Sequence, residues 1–502
     1  MLYKSTRGGV SNLPSMEVIK QGIASDGGLF IPDGIPCLSM DDYRMLAQED
    51  YREKAVKILS LFLTDYSQED LTRCVHSAYN PEKFDVPDIA PVVKLDDKLY
   101  ILELWHGPTC AFKDMALQLL PHLMVTAVER TGEKEYIVIL VATSGDTGKA
   151  ALEGFKDVSG THVVVFYPKE GVSSMQQLQM ITQEGANVHV VAVEGNFDSA
   201  QSGVKAIFAD RQLEQKMRQK GYRFSSANSI NWGRLVPQIV YYVSAWLDLL
   251  KAGEVSEDEF IDVIVPTGNF GNILAAYYAK RMGVPIHRLI CASNRNRVLA
   301  DFINTGIYDR RRKFYKTVSP SMDILISSNL ERLLFELADG DHERVKAWMS
   351  SLQVEGKYSI DAQSLHRLQE VFWGGYADDA QTLQAIRSTY HEYSYVLDPH
   401  TAVGKWVYDE YRRCTGDNHK AILASTASPF KFVGDVLKAI LGQEAVDARD
   451  EFELLDILSR VSGLKPPSAL ADLKHKSIRH TILCRQDEMK DVVVQLLKID
   501  EV

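Results

Sequence analysis

The sequence predicts an α/β fold built as two parallel-sheet lobes with helices on both faces. Three observations carry this expectation. Short Val- and Ile-rich runs alternate with helix-period stretches, as in "EYIVILVATSGDTG" before "KAALEGFK" and "FIDVIVPTGNFGN" before "ILAAYYAKRMG". Continuous apolar runs suit strands buried on both faces, and strand–helix alternation suits parallel layers. Several runs end in Gly- or hydroxyl-rich turns that pass straight into a helix, the place where open α/β sheets bind ligands. The chain is also long, at 502 residues with 45% hydrophobic content, which predicts more than one lobe.

Residues 1–95 read as an N-terminal helical annex. "SMDDYRMLAQEDYREKAVKILSLFL" repeats apolar residues at three-to-four spacing, and Ser67 in "SQEDLTRCVHSAY" is placed as an N-cap. "PVVKLDDKLYILELW" alternates like a hairpin around Asp96-Asp97. Residues 96–255 form the expected first α/β lobe and residues 256–502 the second. A polar, charged helical insert, typified by "LERLLFELADGDHERVKAWMSSL", is expected to interrupt the second lobe at 310–395, and "HKAILAST" then returns to the buried-strand pattern.

The net charge of −11 argues against general nucleic-acid binding, which needs a basic surface. Six scattered cysteines form no C-x-x-C pair, which fits free thiols in a reducing compartment. No apolar leader is visible, and no apolar run reaches the ~20 residues of a membrane span. The expectation is a cytoplasmic protein without a membrane or nucleic-acid partner.

Three strand-to-helix turns carry candidate chemistry. In "VATSGDTGKAAL", backbone N–H groups at a helix start, with the hydroxyls of Ser144 and Thr147, suit an anion, although an ordinary capped turn reads the same way. Gly148-Lys149 imitates a P-loop, but Thr143 stands where the first glycine belongs and Ala150 replaces the magnesium-binding hydroxyl. In "VPTGNFGN", Gly268 and Gly271 let the backbone curl into a nest of donors suited to phosphate. In "ILASTASPFKF", Ser425 and Thr426 end a strand and either meet a ligand or cap the next helix. A fourth stretch, "ELWHGPTCAFKDMALQLL", sets Lys113 just after a Gly-Pro turn and before an apolar helix. Alone it reads as a surface lysine or a partner of Asp114. A lysine beside a phosphate nest and a second anion site is what a pyridoxal phosphate enzyme requires.

These motifs, in order, resemble the threonine synthase family of large microbial and fungal type, within the fold-type II pyridoxal phosphate superfamily (tryptophan synthase β-like). The resemblance runs nearly end to end through "STRGG", "DGGLFIP", "LELWHGPTCAFKD", "ATSGDTG", "NSINWGRL", "VPTGNFGN", "SPSMDI" with "SNLER", and "DPHTAVG". It implies that Lys113 is the Schiff-base lysine and that Gly268, Asn269, Phe270, Gly271 and Asn272 cup the cofactor phosphate. It implies that Thr426 faces the pyridine nitrogen, that Phe112 packs near the ring and that Asp146 stands beside the ring 3′-oxygen. Ser144, Gly145 and Thr147 would face the substrate carboxylate.

The implied reaction converts O-phospho-L-homoserine and water to L-threonine and phosphate. The rival within the class is a phospho-lyase releasing 2-oxobutyrate, ammonia and phosphate from the same substrate. Arg7, Asn231, Arg234, Asn294, Asn296 and Lys431 are candidates for the substrate phosphate. Large members are often monomeric, and a monomer is the expectation. The chain departs from the family pattern at Ser428 and Phe430, where His and Ala are common, and at Cys110, where Leu is frequent.

Overall fold

A computed structural model describes residues 1–143, 145–170 and 172–499. Fifteen strands occur among them. In chain order they begin with β1 (Tyr3–Ser5), β2 (Phe30–Pro32), β3 (Val92–Lys94), β4 (Leu99–Glu103) and β5 (Tyr136–Ala142). Next come β6 (Thr161–Pro168), β7 (Val188–Val193), β8 (Tyr222–Ser225), β9 (Ile261–Pro266) and β10 (Ile286–Ser293). The last are β11 (Ile307–Asp309), β12 (Lys357–Ser359), β13 (Phe372–Tyr376), β14 (Lys420–Ser425) and β15 (Ile482–Cys484).

Two sheets organise the molecule, as the sequence predicts. One has five strands in the order β15-β7-β6-β5-β8, all parallel. The other has six in the order β13-β10-β9-β14-β4-β3, parallel except for the β3–β4 pair. The central strands β9 and β14 are buried along almost their whole length, which is why they read as unbroken apolar runs. Among the described residues, no helix is long and apolar enough to cross a membrane.

The sheets do not follow the sequential division into 96–255 and 256–502. The hairpin β3–β4 forms around Asp96, whose carboxylate accepts from the N–H groups of Lys98 and Leu99, but β4 pairs with β14 in the six-stranded sheet. All five β4 residues are buried, so the strand needs a neighbour on each side, and β3 supplies only one. The segment expected as a helical insert does contain four helices, Leu330–Leu337, His342–Val354, Ala362–Val371 and Asp379–Tyr393. It also supplies β13, an edge strand of the same sheet. That strand is five residues long with two glycines, too weak a pattern to stand out; Gly374 lies against the Ala300 backbone, where a Cβ would crowd it. At the far end, β15 adds itself to β7 and so returns the chain to the five-stranded sheet.

The annex holds the helices Ser15–Gln21, Met40–Leu46, Tyr51–Phe62 and Gln68–Ala78, together with the antiparallel pair β1–β2. Ser67 caps the last of these by accepting from the Asp70 N–H at 3.1 Å. The annex packs on the helix Trp232–Lys251 through edge-on ring pairs, Tyr3 with Trp232 at 5.4 Å and Tyr43 with Trp246 at 5.2 Å. That helix was expected with the first lobe. It is apolar nearly all round because the annex covers one side and the helix Gly271–Met282 another.

One close approach fixes where the lobes meet. A Cβ on Gly154, in the helix Asp146–Phe155, would collide with the carbonyl oxygen of Leu117, just after Lys113. Gly154→Ala is expected to cost about 1–3 kcal/mol by forcing that helix off its seat. Thermal unfolding tests this, and an unchanged midpoint would show that the helix moves freely.

Candidate active site

Lys113 is placed by a tight turn between β4 and the helix Asp114–Leu117. The Asp114 carboxylate folds back and accepts from the Thr109 N–H and from the Thr109 hydroxyl, both at 2.8 Å. Gly107 must be glycine because a Cβ there would strike the Asp114 side chain at 2.6 Å. Cys110 completes the turn in the left-handed region at φ 57°. The turn is pinned from the other side by the strand end at β14. Phe112 N–H donates to the Thr426 carbonyl at 2.9 Å, and Ser428 N–H donates to the Cys110 carbonyl at 3.0 Å. Burial pushes the Asp114 carboxyl up to about 6 and the Cys110 thiol up to about 12.

The Lys113 side chain is 13% exposed, and its Nζ lies 3.4 Å from Asp146 Oδ2 and 3.5 Å from Ser321 Oγ. Burial lowers its pKa below the ordinary lysine value; Asp146 opposes the shift, and the cations Lys431 and Arg234 add to it. Asp146 sits at the first turn of its helix. Its Oδ1 receives Lys431 Nζ and the Gln176 amide, each at 2.8 Å, and its Oδ2 receives the Ser321 hydroxyl at 2.9 Å. Burial alone would raise this carboxyl, but Lys431 and Lys113 outweigh it and hold the group well below the usual carboxylate range. The five groups come from five separate segments of the chain and form one hydrogen-bonded cluster.

The glycine loop after β9 closes the other side. A Cβ on Gly268 would press on the Ser321 carbonyl at 3.2 Å, so the loop lies against the Ser321 turn. Phe270 adopts φ 66° and turns its ring into the core against Phe372, so it offers the loop its backbone only. Asn269 is exposed, and its carbonyl accepts from Asn329 N–H. Asn272, in the first turn of the helix Gly271–Met282, accepts from the hydroxyls of Tyr241 and Tyr242 at 2.6 Å each. Its Nδ2 is buried without a partner, and so is Arg234 Nε. Arg234 lies one helical turn before Gln238, whose amide lies 3.8 Å from a Cβ on Gly271. Unpartnered buried donors are costly, and a phosphate at this helix N-terminus would satisfy them. The donor set and the open glycine backbone therefore fit pyridoxal phosphate.

The structure gives other expected residues narrower roles. Thr143, not an expected contact, caps the turn by accepting from the Gly145 and Gly148 N–H groups at 3.0 Å. Gly145 lies against the Gln176 amide, and Thr147 is half-buried. Ser144 lies outside the described residues. Of the six phosphate candidates, Arg7 is paired with Glu331 at 2.8 Å, and Asn231 caps its helix through Gly233 N–H at 2.9 Å. Asn294 and Asn296 both donate to Asp323 Oδ1, and Lys431 is paired with Asp146. Among the described residues, Arg234 alone of the six has a buried side-chain nitrogen without any hydrogen-bond partner.

Sequence reasoning missed Ser321, Gln176 and His400. Ser321 N–H donates to His400 Nε2 at 3.1 Å, and His400 Nδ1 lies 2.8 Å from Asp398 Oδ1. With Nε2 accepting from Ser321, the ring is left to donate to Asp398 from Nδ1. The segments "SPSMDI" and "DPHTAVG" carry these residues, but nothing in their spacing ties position 321 to position 146.

Beside the site, His106 lies between Asp85 at 2.7 Å and Glu103 at 2.8 Å. Burial opposes its charge, yet the two carboxylates outweigh burial and raise its pKa to about 9. A raised pKa stabilises fully below the unfolded value of 6.5 and is lost as pH rises through about 9. His106→Gln should therefore be less stable than the parent by about 2–3 kcal/mol near pH 6, with the gap closing toward pH ~9. Urea titrations across this range test it, and a gap that stays constant would refute the charged pair.

Comparison with known proteins gives consistent results. A family model described as "Threonine synthase N terminus" matches residues 2–79, and one described as "Pyridoxal-phosphate dependent enzyme" matches residues 84–421. Threonine synthase-like 1 of Pongo abelii is 44% identical over 434 residues, 84% of this chain; the match spans 58% of that relative's length. Threonine synthase of Pseudomonas aeruginosa is 38% identical over 88% of this chain and 91% of its own. The crystal structure of pyridoxal-phosphate-bound threonine synthase from Brucella melitensis superposes with a TM-score of 0.87 at 35% identity, covering 100% of both chains.

Proposed function

The chain belongs to the threonine synthase family of pyridoxal-phosphate-dependent enzymes, and from that premise we propose that it converts O-phospho-L-homoserine and water to L-threonine and phosphate. The observation that carries the reading is the Lys113 amine, held within reach of Asp146 and of Ser321, whose turn packs on the glycine loop, together with the unpartnered buried donors of Asn272 and Arg234 on the helices behind that loop. When bound, pyridoxal phosphate supplies an electron sink for negative charge on substrate carbons.

The protein's own groups do the rest. Gly268 to Asn272 and Arg234 would hold the cofactor phosphate. The Thr426 hydroxyl would lie toward the pyridine nitrogen and Phe112 beside the ring. The substrate carboxylate is received at Ser144, Gly145 and Thr147. Lys113 takes the Cα proton and then moves protons at Cβ and Cγ. Burial lowers its pKa, which favours the basic form of the freed amine. Asp146 stays ionised because the Lys431 ammonium beside it favours its charge, and it fixes the position of the lysine amine. The Cγ–oxygen bond to phosphate breaks, Cγ takes up a proton and remains as the product's methyl group, and water adds its oxygen at Cβ.

The test is a product assay on the cofactor-loaded protein with O-phospho-L-homoserine. Threonine and phosphate in equal amounts are expected. Release of 2-oxobutyrate and ammonia without threonine would replace this reading with the phospho-lyase.

A further inference from the structure

A second cluster of chemically capable side chains lies at the opposite end of the six-stranded sheet. Asp262 stands near the start of β9, His287 near the start of β10, and Asp417 and His419 in the turn that enters β14. These three strands are neighbours in the sheet, and their carboxyl ends carry the active-site loops. The cluster is thus about one strand length, roughly 15–20 Å, from the chemistry above.

The four side chains each offer one ligand atom, and these atoms all lie within 4.8 Å of one another. His287 Nδ1 is 3.0 Å from Asp262 Oδ1 and 3.4 Å from Asp417 Oδ2. His419 Nδ1 is 2.8 Å from Asp417 Oδ1. The two imidazoles stack with centroids 4.2 Å apart and turn the same ring nitrogen toward the carboxylates. Four ligands at about 2.0–2.2 Å from a tetrahedral ion stand roughly 3.3 Å from each other, close to the three separations above, and the remaining pairs lie within 4.8 Å.

We propose that Asp262, His287, Asp417 and His419 form a site for one borderline divalent transition cation, with zinc the best match. Two imidazoles and two carboxylates select zinc and its first-row neighbours over calcium and magnesium, which take all-oxygen shells. Two carboxylates also balance the ion's charge at a partly buried position. Supporting contacts orient the carboxylates: Tyr411 OH donates to Asp417 Oδ2 at 2.9 Å, and Arg288 N–H donates to Asp262 Oδ1 at 3.0 Å. Asp417 also lines an open surface depression of about 560 Å³, and both histidines are part-exposed, which provides a way in. An ion here would clip together the amino ends of three strands that carry the active-site loops at their other ends.

The experiment uses the cofactor-loaded protein, stripped with a chelator and desalted. Zinc is added, and bound metal is measured by equilibrium dialysis with elemental analysis. Cobalt is added in parallel and read by its visible absorption. Saturable uptake of one equivalent is expected, with a raised thermal midpoint. His287→Ala and His419→Ala should each weaken it at least ~10-fold. His366→Ala, at an exposed histidine elsewhere on the surface, should leave it unchanged. Absent or non-saturable uptake, uptake unaffected by the first two variants, or equal uptake of magnesium would each overturn the proposal and leave a hydrogen-bonded Asp–His network. Circular dichroism and the cofactor band establish that each variant is folded.

Discussion

Lys113→Ala is expected to lower kcat by at least ~10³-fold, because one amine both carries the cofactor and moves the substrate protons. The absorbance near ~410–420 nm that a lysine-bound pyridoxal phosphate gives should disappear with it. Stability should change by less than about 1 kcal/mol. Asp146 keeps Lys431, Gln176 and Ser321 as partners, so no carboxylate is stranded. A threonine assay and an absorbance spectrum on the folded variant decide the matter. Turnover close to the parent would mean that another group performs the proton transfers.

Lys431→Met should do the reverse, acting on stability first. The Lys431 ammonium is fully buried, 2.8 Å from Asp146 Oδ1 and 2.8 Å from the Thr109 carbonyl. Removing one member of a buried pair strands the other, at a cost of about 3–5 kcal/mol. The pH dependence follows from the sign of the Asp146 shift. A depressed carboxyl pKa contributes stability above the ordinary value of 3.8 and loses it as pH falls through the folded value. The gap between parent and variant should be full near neutrality and shrink below pH 3.8. Adding Asp146→Asn to Lys431→Met should recover part of the loss, because no unpaired charge then remains. A single variant within about 1 kcal/mol of the parent would show that the pair does not carry this stability.

The parts of the site that the sequence made legible are local. Gly107, Pro108 and Lys113 lie in one turn, Gly268 to Asn272 in one loop, and Asp146 at one helix start. Turn chemistry and strand-to-helix transitions are written in adjacent residues. The partners of those groups were not legible, because they arrive from distant strands. Lys431 was read as a contact for substrate phosphate; its pairing with Asp146 depends on β14 lying beside β4. Ser321 reaches the site only because the glycine loop and its own turn pack together. The fold class was legible for the same local reason, whereas β13 and β15 were not: two glycines interrupt the first, and the second is only three residues long.

The departures from the family pattern also become intelligible in three dimensions. Cys110 and Phe430 are both buried in one apolar cluster with Val433, Val436 and Leu437. The smaller side chain at position 110 and the larger one at position 430 offset each other in volume, which is the kind of exchange a packed core accepts. Ser428 keeps a local task by accepting from the Phe430 N–H at 3.4 Å.

The bracing of the Lys113 turn by the strand end at β14 also sets when the site can exist. Thr109 and Lys431 are 322 positions apart, and the intervening chain builds most of both sheets. On a ribosome, that interval takes on the order of tens of seconds. Throughout it the lysine turn has no strand end behind it, and β4 has no β14 to pair with. Cofactor capture must therefore come late in synthesis or after release, and a truncated nascent chain ending before residue 431 should fail to retain pyridoxal phosphate.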